Sequence, residues 1–235
     1  MNIFETIKKS ALLYKVSFQQ IYPLAFAMAL ISQLALWAVN GTMIQSGDNI
    51  SVQSWPTLVA ALIGMWLITL IGNAIIQVCQ NAYLYSYKLT IPQAATYTLK
   101  CLPALILAAT MFSIMVSAGL FLYIVPGVLL MTVFALYSPA VLFMKKHGVG
   151  ALQLSFKLVA PQFFAAFTIL ALNLALLLLP QLLASQLNVS LSTNFGVEEA
   201  LGVLATSILI PFSNALILVL FYKLNAMQKN VPNAN

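Results

Sequence analysis

Six apolar stretches follow one another along the chain, at about residues 21–39, 55–82, 103–123, 128–144, 162–183 and 200–222, and no Asp, Glu, Lys or His falls inside any of them. A helix needs roughly 20 consecutive apolar residues to cross the hydrocarbon core of a bilayer. The pattern therefore predicts an all-α integral membrane protein with six transmembrane helices. Composition agrees: 62% of residues are hydrophobic and 6% are charged, whereas soluble domains carry about 25% charged residues. A chain this apolar cannot cover a water-facing surface, so residues 1–235 read as a single polytopic membrane domain.

The charges lie between the stretches. Residues 3–19 place Phe4, Ile7, Ala11, Tyr14 and Phe18 on one helical face, with Glu5, Lys8, Lys9, Lys15 and Gln19 on the other side. That is the pattern of an interfacial helix lying on a membrane surface. Similar amphipathic pieces precede the third and fifth spans. One has Ala95, Leu99 and Leu102 opposite Gln93, Thr96 and Lys100; the other has Leu152, Phe156 and Val159 opposite Gln153 and Lys157. The chain thus divides into three surface-helix-plus-hairpin units. Pro126-Gly127 is expected to make the turn between spans three and four, with glycine supplying a positive φ. Pro139 and Pro211 are expected to kink the helices that contain them.

Charge sets orientation. When successive loops are assigned to alternate sides, the ten lysines at 8, 9, 15, 88, 100, 145, 146, 157, 223 and 229 all fall on one side, while Asp48, Glu198 and Glu199 fall on the other. The positive-inside rule then puts both termini and the amphipathic pieces on the cytoplasmic side. Lysine counting does not separate full spans three and four from a re-entrant hairpin, since both return the chain to the same face.

Function has little to build on. Intramembrane ionisable groups mark proton relays and ion-coupled transport, and none is expected here. The polar residues expected inside spans form a candidate seam of Asn73, Gln77, Ser113, Ser117, Asn173, Ser213 and Asn214. Such a seam either lines a solute path or supplies interhelical hydrogen bonds. Small-residue pairs, Ala60 with Gly64 and Gly202 with Thr206, point to close helix packing. Lys8, Lys9, Lys15, Lys100, Lys145, Lys146 and Lys157 are candidate contacts for anionic lipid headgroups. The lone His147 has no Cys, Asp or Glu beside it, so no metal site is expected. No catalytic triad, paired carboxylates or phosphate-cradling loop is present, which predicts a protein that is not an enzyme and needs no cofactor. Cys79 and Cys101 are too few for a disulfide framework. The expected partners are membrane lipids, anionic ones included, with a homo-oligomer or membrane complex as further options and no nucleic acid.

Several strings resemble one family. Leu70-Ile71-Gly72-Asn73-Ala74-Ile75, Ile124-Val125-Pro126-Gly127-Val128, Ser138-Pro139-Ala140-Val141, Phe212-Ser213-Asn214 and Phe221-Tyr222-Lys223-Leu224 are similar in order and spacing to the YciC-like bacterial inner-membrane proteins, over about residues 55–228. More distantly, the same core resembles the membrane domain beside some glycerophosphodiester phosphodiesterases. The chain departs from the YciC-like pattern by carrying Lys157 and Lys223 where Arg is common, and by a short first outer loop. The resemblance implies a six-span envelope protein of the bacterial inner membrane, without catalytic residues to carry over. The functional expectation is a non-enzymatic, envelope- or lipid-related membrane protein. A transporter or channel for a neutral or lipidic solute, and a scaffold of a membrane complex, stand beside it.

Overall fold

The computed structural model describes residues 1–45, 55–87, 89–186 and 197–229, and every regular element among them is helical. Most of both acidic loops, with Asp48, and also Lys88 and residues 230–235, lie outside the described residues. Among the described residues, five stretches are long and apolar enough to cross a membrane: Leu58–Leu84, Ile91–Leu122, Ile124–Met144, Val149–Leu178 and Ala200–Lys229.

The first helix, α1, runs unbroken over Ile3–Gln45, 43 residues, or about 65 Å at the rise of an α-helix. The expected surface helix at 3–19 and the first apolar stretch are thus one rod, with Pro23 inside it. The second amphipathic piece is likewise the beginning of a span. After α2 (Trp55–Leu84), α3 continues over Ile91–Leu122 with Pro103 inside. A proline removes one backbone donor, but a break in lipid strands several groups at once, so both helices carry on through it. Only the third amphipathic piece is a separate helix.

That piece sits where the fourth apolar stretch is broken. The stretch folds as α4 (Ile124–Phe134) and α5 (Tyr137–Met144), so Pro139 lies in the first turn of α5 instead of kinking a longer helix. The amphipathic helix, α6 (Val149–Val159), closes the gap between them. The buried Ser155 hydroxyl donates to the Val133 carbonyl at 2.7 Å and accepts from the Leu136 N–H at 3.1 Å. One side chain satisfies both groups. A turn of 3-10 helix, Ala160–Gln162, then leads into α7 (Phe163–Gln186), and α8 (Val197–Lys229) completes the bundle.

Gly127 does not form the expected turn. The bend is at Tyr123, in extended backbone with φ −164 and ψ 154, and Gly127 is already inside α4. It is needed for close approach: a Cβ there would come within 2.7 Å of the Leu120 backbone nitrogen. The Lys145-Lys146-His147 stop ends α5 with Lys145 at φ 52, and Gly148 follows at φ 47, a left-handed position that favours glycine.

Packing explains why α1 and α8 dominate the bundle. The buried stripe of α1 is Thr6, Ser10, Leu13, Ser17, Ile21, Ala25 and Met28. It lies about 90° around the helix from the expected apolar face, at 100° per residue; on that face Phe4 is 76% exposed. Ser10 and Ser17 donate to the carbonyls four residues back, at 2.9 and 2.8 Å. Small, self-satisfied hydroxyls let backbones approach closely in lipid, while large apolar side chains lose nothing by facing it. Residues 211–224 of α8 are enclosed on nearly every side, and Phe221, Leu216 and Leu220 are fully buried there with Ile76 of α2 and Leu142 of α5. By contrast, a Cβ at Gly64 or Gly202 would meet nothing within 4 Å, so those glycines make no close packing contact among the described residues.

Ser155→Ala should lower stability by about 1–3 kcal/mol, since it strands a buried N–H and a carbonyl together. Thermal unfolding in detergent, compared with the exposed control Gln153→Ala, measures this.

Candidate functional site

Two polar arrangements stand out, one within the core and one at the lysine-bearing end. In the core, α2 presents Asn73, Gln77 and Gln80 on a single stripe, spaced four and three apart. Gln77 Nε2 donates to Asn214 Oδ1 of α8 at 3.0 Å, and Ser138 Oγ of α5 donates to Gln77 Oε1 at 2.8 Å. Asn214 Nδ2 donates to Asn73 Oδ1 at 2.8 Å and to its own Ile210 carbonyl at 3.0 Å. One turn further along, Gln80 Nε2 donates to the Pro211 carbonyl at 2.7 Å, while Gln80 Oε1 has no partner among the described residues. A linked chain Ser138–Gln77–Asn214–Asn73 therefore ties α5, α2 and α8 together.

The structure brings three of the seven candidate seam residues into this chain: Asn73, Gln77 and Asn214. Ser213 is buried one residue away from Asn214. Asn173 is buried on α7 with Oδ1 unpartnered among the described residues, Ser113 is half-buried, and Ser117 is exposed. Ser138, a further polar residue expected inside span four, and Gln80, which is not among the expected polar residues, complete the arrangement. The spacing of Gln80 from Gln77 and Asn73 was the available signal. Three clefts bounded by described residues have volumes of about 550, 300 and 500 Å3, and none is lined by the seam.

The second arrangement joins the ends of the helices. Tyr83 donates to Gln20 Oε1 at 2.7 Å, Gln20 Nε2 donates to the Leu89 carbonyl, Tyr222 donates to Asn81 Oδ1 at 2.7 Å, and Tyr97 donates to the Leu142 carbonyl at 2.6 Å. The Glu5 carboxylate holds two ammonium groups, Lys9 at 2.8 Å and Lys223 at 2.9 Å. Lys223 also donates to the Asn2 carbonyl at 3.1 Å. Asn2 in turn caps α1, its Oδ1 accepting from the Glu5 N–H at 3.2 Å.

Two clefts open at lysines. The larger, about 550 Å3, lies between α1, α2 and α8 and has Lys9 and Lys223 at its rim. The other, about 500 Å3, is bounded by Met111, Met115, Phe134, Val149 and Leu152, with Gln153 and Lys157. Of the other candidate headgroup contacts, Lys8, Lys15, Lys100, Lys145 and Lys146 are exposed and line neither cleft. Comparison of the chain with known protein families, with curated proteins and with solved structures finds no match.

Asn214→Leu should cost about 1–3 kcal/mol by leaving two buried amides short of partners. A double-mutant cycle with Asn73→Ala should give a coupling of about 0.6–1.7 kcal/mol. Both are read from unfolding in detergent. For Glu5, hydrogen bonds from Lys9 and then Lys223 pull its carboxyl from 4.5 down to about 2. Its contribution to stability is present in full above the ordinary value and is lost as pH falls toward the lowered one. The melting difference between the natural chain and Glu5→Gln should therefore shrink over that acid range; a constant difference would contradict the pairing.

Proposed function

We propose that the chain is a six-span protein of the bacterial inner membrane, of the YciC-like kind, with both termini in the cytoplasm and a non-enzymatic role tied to envelope lipids. The sixth span in this reading is the C-terminal part of α1, whose 43 residues exceed what a surface helix and one crossing require. The one-sided distribution of lysines supports the orientation.

The observation that carries the lipid reading is the pairing of apolar clefts with lysines. Each of the two lysine-bearing clefts has mostly aliphatic, aromatic or thioether walls and an ammonium group at its edge. That combination suits an amphiphile with an anionic head: the chain replaces lipid against the wall, and the head meets the cation. Transport through the polar seam draws no support from the geometry, because the amides bond one another and line none of these clefts.

Cysteine-accessibility labelling in native membranes should place residues 40–54 and 184–199 outside and 145–157 inside. Labelling of 145–157 from outside would overturn the topology. Native mass spectrometry of the purified protein should show retention of phosphatidylglycerol over phosphatidylcholine, and equal retention would remove the lipid reading.

A further inference from the structure

We infer that the cleft between α1 and the C-terminal ends of α2 and α8 takes one anionic glycerophospholipid from the surrounding leaflet. Its phosphate takes the place of the Glu5 carboxylate at Lys9 and Lys223, and an acyl chain lies along Leu12, Val16, Leu84 and Val219. This names a site for the lipid-related role proposed above and rests on that reading.

The rim already binds an anion. Glu5 offers one carboxylate oxygen to each lysine, at 2.8 and 2.9 Å, so the two ammonium groups stand at a separation that one two-oxygen acceptor bridges. A phosphate diester has the same charge and the same pair of oxygens. Exchanging one anion for the other at fixed cations leaves the local charge balance unchanged. The Glu5 side chain is 47% exposed, so it is free to leave. Donors also remain, because each ammonium has three protons. Lys9 gives one to Glu5, and Lys223 gives one to Glu5 and one to the Asn2 carbonyl.

The gain from the exchange is apolar contact. Leu12 is 56% exposed, Val16 62% and Leu84 41%, and these side chains form the wall directly beside the charged rim. On α1 the wall residues follow a helical stripe at Lys9, Leu12, Leu13 and Val16. Lys8 and Lys15 project about 100° away around the same helix. A zwitterionic choline head would bring a third cation toward two ammonium groups, and like charges at such range repel. The cleft therefore selects for net negative charge on the lipid head.

The test uses the full chain in detergent micelles, titrated with phosphatidylglycerol or phosphatidylcholine and read by native mass spectrometry, with melting temperatures confirming that each variant is folded. The natural chain should prefer phosphatidylglycerol. K9Q/K223Q should lose about tenfold of that affinity, and K8Q/K15Q less than about threefold, since general surface attraction is shared by all lysines. Glu5→Gln, which removes the competing carboxylate, should bind phosphatidylglycerol at least about threefold more tightly. Val16→Trp, at an exposed wall position, should weaken both lipids.

If the natural chain shows no preference for phosphatidylglycerol, the lipid reading itself fails. If it shows the preference but K9Q/K223Q and K8Q/K15Q lose it equally, the site fails and the broader reading survives. Weaker phosphatidylglycerol binding by folded Glu5→Gln would overturn the displacement. A lipid-free dimer lost in K9Q/K223Q would assign the cleft to a second copy and overturn the proposal.

Discussion

In hydrocarbon an amide has no water to return to, and that constraint organises this bundle. Asn214 is where it acts most strongly. Its oxygen accepts from Gln77, and its two N–H groups go to Asn73 and to the Ile210 carbonyl. Ser138 extends the chain to α5. Sliding α8 along α2 by one turn would strand each of these groups. The apolar contacts of Ile76, Leu216 and Phe221 around them fit only one register in consequence. Burial of leucine in lipid is nearly neutral between partners, so polar pairing and shape decide which faces meet.

The same physics reverses the packing rule familiar from water. Along α1, the stripe turned inward consists largely of Thr, Ser and Ala, and the bulky residues Phe4, Leu12 and Val16 turn outward. Each inward hydroxyl of Thr6, Ser10 and Ser17 is satisfied by a carbonyl of its own helix. The stripe therefore presents a thin, already neutralised surface to the rest of the bundle. Ser155 uses its hydroxyl differently, reaching across to a broken helix whose two exposed backbone groups it closes.

Much of the architecture was legible before any coordinates. Helix existence followed from apolar length, and the shared face of Asn73 and Gln77 from their spacing of four. The partner was not, because Asn214 lies 137 positions from Gln77 and local periodicity carries no information on which helix comes alongside. The pieces at 3–19 and before the third span read as separate surface helices because each has a polar and an apolar face, yet a change from amphipathic to wholly apolar sequence does not break a helix. Pro126-Gly127 reads like a turn in water; here the glycine is set by the distance to Leu120. Ser155 gave no signal, since a serine bonding its own turn and one bridging a neighbouring break occupy the same sequence pattern. The Lys9–Glu5 pair was readable as an i, i+4 contact, but its second lysine, 218 residues from Glu5, was not.

The central position of α8 has a consequence for biosynthesis. It leaves the ribosome after every helix it packs against, yet it supplies the partners of residues made far earlier: Asn73, Gln77, Gln80, Asn81, and the Glu5–Asn2 pair before them. Until α8 enters the membrane, those amides have no native partner from it. The nascent protein therefore passes through an interval in which α1 and α2 hold each other through Tyr83 and Gln20 but lack every bond that α8 supplies. Closure waits for residues 211–224, which complete this core after the helices around them have been made.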